Sequence, residues 1–282
     1  MTRPQTIQIF LPDGNPRGVR IAEITNRTVK AISFPRNQID YILTRNELSN
    51  VGFYFLFGES NTGKPLVYIG EAENCATRLS QHQRNKDFWN YAVVIISKIN
   101  AFTKTHVKFL EHISIKKAYE VSRWQLENGV NTNMPFVTES MEADMLDCFE
   151  TTKVLLSTLG FPLFDSISRE NNRTPGDIYK MKSKDAVAEG NLTDEGFVIY
   201  KGSKIVKETL PSCHKYIIDL RNKLIDSGIL SLNGNVYVFT EDYIFSSPST
   251  AGGIVSGRPV NGWDTWKNVN GKTLDEIKRK RI

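Results

Sequence analysis

Five polar side chains are of types that could serve the hydrolysis of a phosphate ester. Tyr54 and Tyr68 sit in two apolar, aromatic-rich runs, residues 52–57 and 66–70, separated by a polar stretch with two glycines and a proline. Arg78 follows ten residues after Tyr68, His82 four residues after that, and Glu111 further along. Phosphodiester hydrolysis needs an activated water and stabilisation of the charge that develops on the phosphorus oxygens and the leaving group. A planar guanidinium such as that of Arg78 can clamp phosphate oxygens. A phenol or an imidazole can position the water or move a proton. A carboxylate can hold a divalent ion that stabilises the transition-state charge.

The elements that must position these groups are legible. The two apolar runs and their polar spacer read as a hairpin with a longer loop. If Tyr54 and Tyr68 share a face, two phenols stand close together on one sheet surface. Residues 71–74 can open a helix, capped by Asn74 or an earlier residue, with acidic residues suited to its N-terminus. Arg78 and His82, at i and i+4, share a face of that helix, and Leu79 anchors it. Residues 88–96 are β-branched and aromatic, which predicts a third, buried strand. Residues 102–126 read as a helix with Thr103 or Thr105 as N-cap and Val107, Leu110, Ile113, Ala118 and Trp124 on an apolar period. Glu111 shares its face with Val107, Ser114, Ile115 and Ala118. A carboxylate among such neighbours is costly unless it meets a cation or good donors, which makes it a candidate metal ligand.

Gly52-Phe53-Tyr54 and Tyr68-Ile69-Gly70, followed in register by Arg78, His82 and Glu111, resemble the GIY-YIG nuclease family over roughly residues 50–133. Phe53 stands where the first tripeptide usually carries isoleucine, a mild departure. The resemblance implies a metal-dependent endonuclease. Tyr54, Tyr68, Arg78, His82 and Glu111 would be site residues, Glu111 would hold one Mg²⁺ or Mn²⁺, and the substrate would be nucleic acid, double-stranded DNA first. In that family a tyrosine or a histidine is proposed as the base, and the sequence does not choose between them. An asparagine after the glutamate helix is also implied, with Asn131 first and Asn128 and Asn133 as rivals. The competing expectation is a nucleic-acid-binding protein that retains the fold without cutting.

The remaining patterns bound the answer. The chain has 282 residues, 40% hydrophobic and 24% charged, ordinary for a globular protein and long enough for two domains. Three widely spaced cysteines support neither a disulfide framework nor a zinc knuckle. No apolar run approaches a membrane span and no secretory signal opens the chain, so a cytoplasmic protein without a membrane partner is expected. The net charge is +5, but unevenly placed. Residues 1–50 and 51–130 each carry +3, residues 131–195 carry −6, and residues 196–282 carry +5. Basic lobes suit a polyanion.

These patterns predict an α+β chain: a small, mainly antiparallel sheet flanked by helices, and a second small α+β domain. Residues 1–50 read as a β-rich segment, a small sheet unit or an appendage of the module that follows. Residues 51–164 form the nuclease-like module, with a further helix over 138–159. Residues 165–195 read as a linker and 196–282 as a basic C-terminal domain. Ser247-Pro248-Ser249, the Gly257-Arg258 step and the Asn261-Gly262-Trp263…Trp266-Lys267 pattern resemble a small domain of uncharacterised function, of the DUF4357 type, that accompanies GIY-YIG modules. Trp263 and Trp266 could stack bases, but core packing fits a small domain better. His106 and His112, six apart, read as structural, and Cys75 as packing.

Overall fold

A computed structural model describes residues 4–60, 64–128, 133–165 and 178–279. The chain is α+β and divides into two compact units, residues 1–165 and 166–282.

The first unit is built on one sheet of seven strands. They are β1 (Ile7–Phe10), β2 (Arg20–Ile24), β3 (Val29–Pro35), β4 (Gly52–Glu59), β5 (Pro65–Ala72), β6 (Trp89–Ser97) and β7 (Gln125–Leu126). Their order is β1-β2-β3-β6-β4-β5-β7, and every pairing is antiparallel except β5 with β7. Four helices complete the unit: α1 (Ile39–Leu43), α2 (Cys75–Asn85), α3 (Lys104–Val121) and α4 (Glu139–Thr158). Residues 1–50 are thus no separate segment. Their strands extend the sheet that holds the hairpin, so the appendage reading is the one observed.

Apolar cores cover both faces of this sheet, which explains why β4 and β6 are apolar at nearly every position. On one face Phe53, Phe55 and Phe57 pack with Val107 and Leu110 of α3 and Phe149 and Leu155 of α4. On the other, Tyr54 and Leu56 pack with Leu79 of α2 and Ile39 and Ile42 of α1. The alternation of β4 therefore delivers its phenylalanines to α3 and α4, and its tyrosine to α2.

Helix α3 is shorter than the apolar period suggested. Ser122 adopts a left-handed backbone, φ 53°, and ends it. Its hydroxyl donates to the carbonyl of Tyr119 at 2.7 Å. Trp124 then leaves the helix and packs edge-on against Phe57, ring centres 5.0 Å apart. Residues 125–126 become β7 rather than a last helical turn. Thr103 is the N-cap, in a reciprocal capping box with His106, which gives that histidine a structural task. Thr138 likewise caps α4.

The second unit begins earlier than residue 196. Its strands are β8 (Tyr179–Ser183), β9 (Ala186–Thr193), β10 (Gly196–Ile199), β11 (Lys204–Val206), β12 (Leu230–Asn233), β13 (Val236–Phe239) and β14 (Tyr243–Phe245). They form two sheets, β14-β10-β9-β8 and β11-β13-β12. The helices are α5 (Lys215–Asp226), α6 (Pro248–Ser256), α7 (Gly262–Thr265) and α8 (Leu274–Lys278). The expected linker is corrected accordingly. Residues 179–193 form a hairpin whose inward side chains, Tyr179, Met181, Ala186 and Ala188, join the core, and residues 166–177 lie outside the described residues. Polar outward positions made this hairpin look like a connector.

Helix α6 is buried except at Ser249 and Thr250, which are partly so, and Ser247 and Pro248 start it as N-cap and first residue. Trp266 is buried, donates its indole N–H to the carbonyl of Pro248 at 3.0 Å, and packs on Phe197. It is a core residue. Trp263 is half-buried beneath the guanidinium of Arg279, 3.6 Å from its ring centre. Among the described residues, no helix is long and apolar enough to cross a membrane.

Candidate active site

Tyr54 and Tyr68 share one face of the β4–β5 hairpin. Tyr54 lies opposite Gly70 and Leu56 opposite Tyr68, so the two phenols are diagonal neighbours. Their ring centres are 6.2 Å apart. The two tripeptide glycines clear space around them. A β-carbon on Gly52 would stand 2.7 Å from the carbonyl oxygen of Ile95 and 2.8 Å from Cys75 Sγ, so only glycine lets β4 begin beneath α2.

Asn74 opens α2, its side chain accepting the backbone N–H of Thr77 at 2.9 Å. The helix buries Cys75, Leu79 and His82 against the phenol-bearing face. Tyr54 Oη lies 2.7 Å from His82 Nε2, and the His82 and Tyr68 ring centres are 5.1 Å apart. Arg78 stays exposed on the rim of α2, where Nη1 donates to Gln81 Oε1 at 3.0 Å. Its pKa is raised chiefly by hydrogen bonding to Tyr54, with the Tyr68 phenol adding to it against a desolvation cost. The Tyr54 hydroxyl and His82 Nε2 share one hydrogen bond, whose donor is set by the imidazole tautomer.

The electrostatics assign these groups different tasks. Burial, then the neighbouring Tyr68, pushes the Tyr54 phenol up, so it keeps its proton. Burial, then the charges of Arg78 and Lys86, holds His82 down at about 4, so its ring is neutral at pH 7. Tyr54 is fully buried and His82 nearly so. This pair cannot meet bulk water as it stands, and it positions the rim groups. Tyr68 is half-buried, with Lys86 Nζ 4.4 Å above its ring and the same ammonium 2.7 Å from Glu127 Oε1. Cys75 is buried and its thiol is pushed up to about 12 by burial, so it packs rather than reacts.

Glu111 stands on α3, which packs on the opposite face of the sheet from α2. Among the described residues, strand β7 pairs with β5 only at Leu66 and Val67, and Asn128 continues along that edge at Ile69. Helix α2 covers one face of that edge, and α3, which packs chiefly on β5, covers the other. Glu111 is half-buried on α3 beside Val107, Ser114, Ile115 and Ala118, all buried. Burial, then the charge of Glu71, pushes its carboxyl up to about 7, while Lys108, Arg78 and the Glu71 backbone amide pull it down. Arg78 thus acts electrostatically on Tyr54, Tyr68 and Glu111 alike.

Asn131 lies outside the described residues. Its rival Asn128 is built into the edge. Its side chain accepts the N–H of Ile69 at 3.2 Å and donates to the Ile69 carbonyl at 2.8 Å, continuing the ladder where β7 stops. Asn133 is exposed. The spacing argument passed over Glu71 and Lys86. Lys86 was findable, since it stands four residues beyond His82 on α2's face. Glu71 was treated only as a helix-opening acid.

The oxygen donor a divalent ion would meet here is the carboxylate of Glu111. Among the described residues no three His, Cys, Asp or Glu converge on a metal position. Glu111 is nevertheless a hard oxygen donor whose charge is penalised by burial and by a second acid, and a dication relieves both. A site with few protein ligands suits Mg²⁺, which keeps several waters.

Residues 179–278 match the family described as Domain of unknown function (DUF4357). That match lies within the second unit and agrees with its β8–α8 span. Neither a curated protein nor a solved structure matches the chain. The second unit is therefore similar to a family of uncharacterised function, and the reading of the first unit rests on its residues and their geometry.

Proposed function

We propose that the first unit is a GIY-YIG-type endonuclease centre that hydrolyses phosphodiester bonds in DNA with one divalent ion, Mg²⁺ or Mn²⁺, on Glu111. The observation that carries this reading is the cluster of Tyr54, Tyr68 and His82, with Tyr54 Oη 2.7 Å from His82 Nε2 and the Tyr68 ring 5.1 Å from the imidazole and 6.2 Å from the Tyr54 ring, beside the edge strand β5. An edge of that kind admits a polymer backbone.

The roles follow from exposure and charge. Arg78 clamps the phosphate oxygens, and its planar fork stays oriented by Gln81 and Tyr54. Tyr68 is the phenol that solvent reaches, so it is the group that meets the attacking water. Lys86 sets an ammonium over its ring. The buried Tyr54–His82 pair holds Arg78 and Tyr68 in register and excludes water beneath them. Glu111 holds the ion, with Glu71 adding negative potential; when bound, the ion stabilises charge on the phosphate and the leaving oxygen.

Nicking of supercoiled plasmid in Mg²⁺ and in Mn²⁺ tests the proposal, with wild type beside Glu111→Ala. Nicking by the wild type and its loss, by about a hundredfold or more, in the variant are expected. Equal nicking by both proteins overturns the proposal. Salt-sensitive DNA binding with no cleavage in either metal would instead establish the non-cutting alternative.

A further inference from the structure

The second unit holds a cleft of about 1070 Å³ that the cutting chemistry does not use. Five cations line it: Lys180, Lys182 and Lys184 from the β8–β9 hairpin, Arg258 just past α6, and Lys267. All five are exposed. Two carboxylates oppose them, Glu208 and Asp264. Lys180 Nζ is paired with Glu189 Oε1 at 2.7 Å, and Asp264 accepts from Asn261. Among the described residues, Lys182, Lys184, Arg258 and Lys267 face no carboxylate at ion-pair distance. The floor is apolar, with Met181 buried and Val260 half-buried.

The rim is held together by backbone pairing of Lys180 with Lys267, N–H to O at 2.7 and 3.1 Å, which brings Lys267 beside the lysines of β8. Glu189 answers the charge of Lys180. Lys184 occupies the hairpin turn at φ 47°, where glycine or asparagine is favoured. A lysine kept at such a turn, on a rim where Lys182, Arg258 and Lys267 also lack carboxylate partners among the described residues, fits a ligand-facing role. The carbonyls at the C-terminal end of α6 do not spoil the field. Gly257's takes the N–H of Leu210, and Arg258's takes the hydroxyl of Ser256.

We propose that this cleft binds the sugar-phosphate backbone of nucleic acid. Its volume stands at the upper limit of small-molecule pockets, about 300–1,000 Å³. It is a concave trough rather than the flat or convex surface a bilayer needs. Unpaired lysines are point charges that neutralise phosphates without reading sequence. Lys182, Arg258 and Lys267 make the principal phosphate contacts, and Lys184 adds one from the turn.

Fluorescence anisotropy with short labelled DNA, single-stranded and duplex, tests this on the full chain. EDTA is present throughout, so the outcome does not depend on whether the first unit cuts. Lys182→Ala/Arg258→Ala/Lys267→Ala is expected to bind at least one form about tenfold or more weakly, with a salt slope smaller by about two to three. Lys204→Ala/Lys215→Ala/Lys223→Ala removes equal charge from the same unit away from the cleft and is expected to bind nearly as the wild type does. Lys184→Gly is expected to be no less stable and to bind about threefold more weakly. Wild-type affinity and slope in both cleft variants, or equal weakening in the charge-matched control, overturns the proposal.

Discussion

Gly70 passes so closely beneath Tyr54 that a β-carbon there would stand 2.4 Å from the phenol oxygen and 2.6 Å from the ring carbon that bears it. The second tripeptide's glycine is therefore a steric partner of the first tripeptide's tyrosine. It lets a buried phenol lie across the neighbouring strand and reach His82 on α2. Gly70→Ala must displace Tyr54 or part β4 from β5. Such overpacking of a rigid core costs about 1–3 kcal/mol. Denaturant unfolding should show that loss, and nicking should fall with it because the Tyr54–His82 contact is displaced. Wild-type stability in Gly70→Ala would show that the phenol has another place to go.

The two phenols should separate in mutagenesis. Tyr54→Phe leaves His82 Nε2 buried without its hydrogen-bond partner. The expected cost is about 1–3 kcal/mol of stability, the desolvation penalty of orphaned polar groups. Tyr68→Phe removes a half-exposed hydroxyl, so its stability should stay within about 0.5 kcal/mol of wild type. Its nicking rate should nevertheless fall at least as far as that of Tyr54→Phe. Equal stability losses in the two variants would contradict the division into a positioning phenol and a water-facing one.

His82 supplies a pH signature. Its folded pKa of about 4 lies below its ordinary 6.5. Between those values the unfolded chain binds a proton that the folded chain refuses, so this residue's contribution is complete above pH 6.5 and is lost as pH falls toward 4. NMR of the imidazole should show a neutral ring at pH 6. Arg78→Ala removes one of the two cations that hold the value down and should move the titration upward. An imidazolium signal at pH 6 in the wild type would contradict the burial and contact described for this ring.

The residues show which parts of this structure a linear reading can reach. The hairpin, α2 with Asn74 as its cap, and the opening of α6 at Ser247-Pro248 were legible because each is specified by local chemistry: alternating apolar runs, a side-chain acceptor, a proline at the first helical position. The convergence of Tyr54, Tyr68, Arg78 and His82 was legible because strand parity and helical period fix which side chains share a face. What escaped depends on long-range partners. Ser122 ends α3 in a left-handed turn that its residue type does not announce, and β7 exists only because β5 has a free edge at Leu66 and Val67. The β8–β9 hairpin was read as a linker because its outward lysines and acids mask four inward core residues. Dividing the charge at residue 195 then counted Lys180, Lys182 and Lys184 with an acidic middle and hid the cleft they line.

Glu111 joins stability to activity in opposite senses. Its folded pKa of about 7 exceeds the ordinary 4.5, so the folded chain holds a proton that the unfolded chain releases. The stabilising contribution is complete below pH 4.5 and is lost as pH rises through about 7. Glu111→Gln removes that loss. It should match the wild type near pH 4.5 and exceed it above pH 7 by about 1 kcal/mol, a figure reduced for the screening a half-exposed group experiences. The same substitution removes the proposed ion's ligand, so nicking should disappear as stability rises. Mg²⁺ competes with the proton for this carboxylate and should draw its titration below 7 in the wild type. A Glu111→Gln protein that is less stable at pH 8, or a carboxyl titration that Mg²⁺ leaves in place, would mean that the side chain is a structural acid and that the ion is held elsewhere.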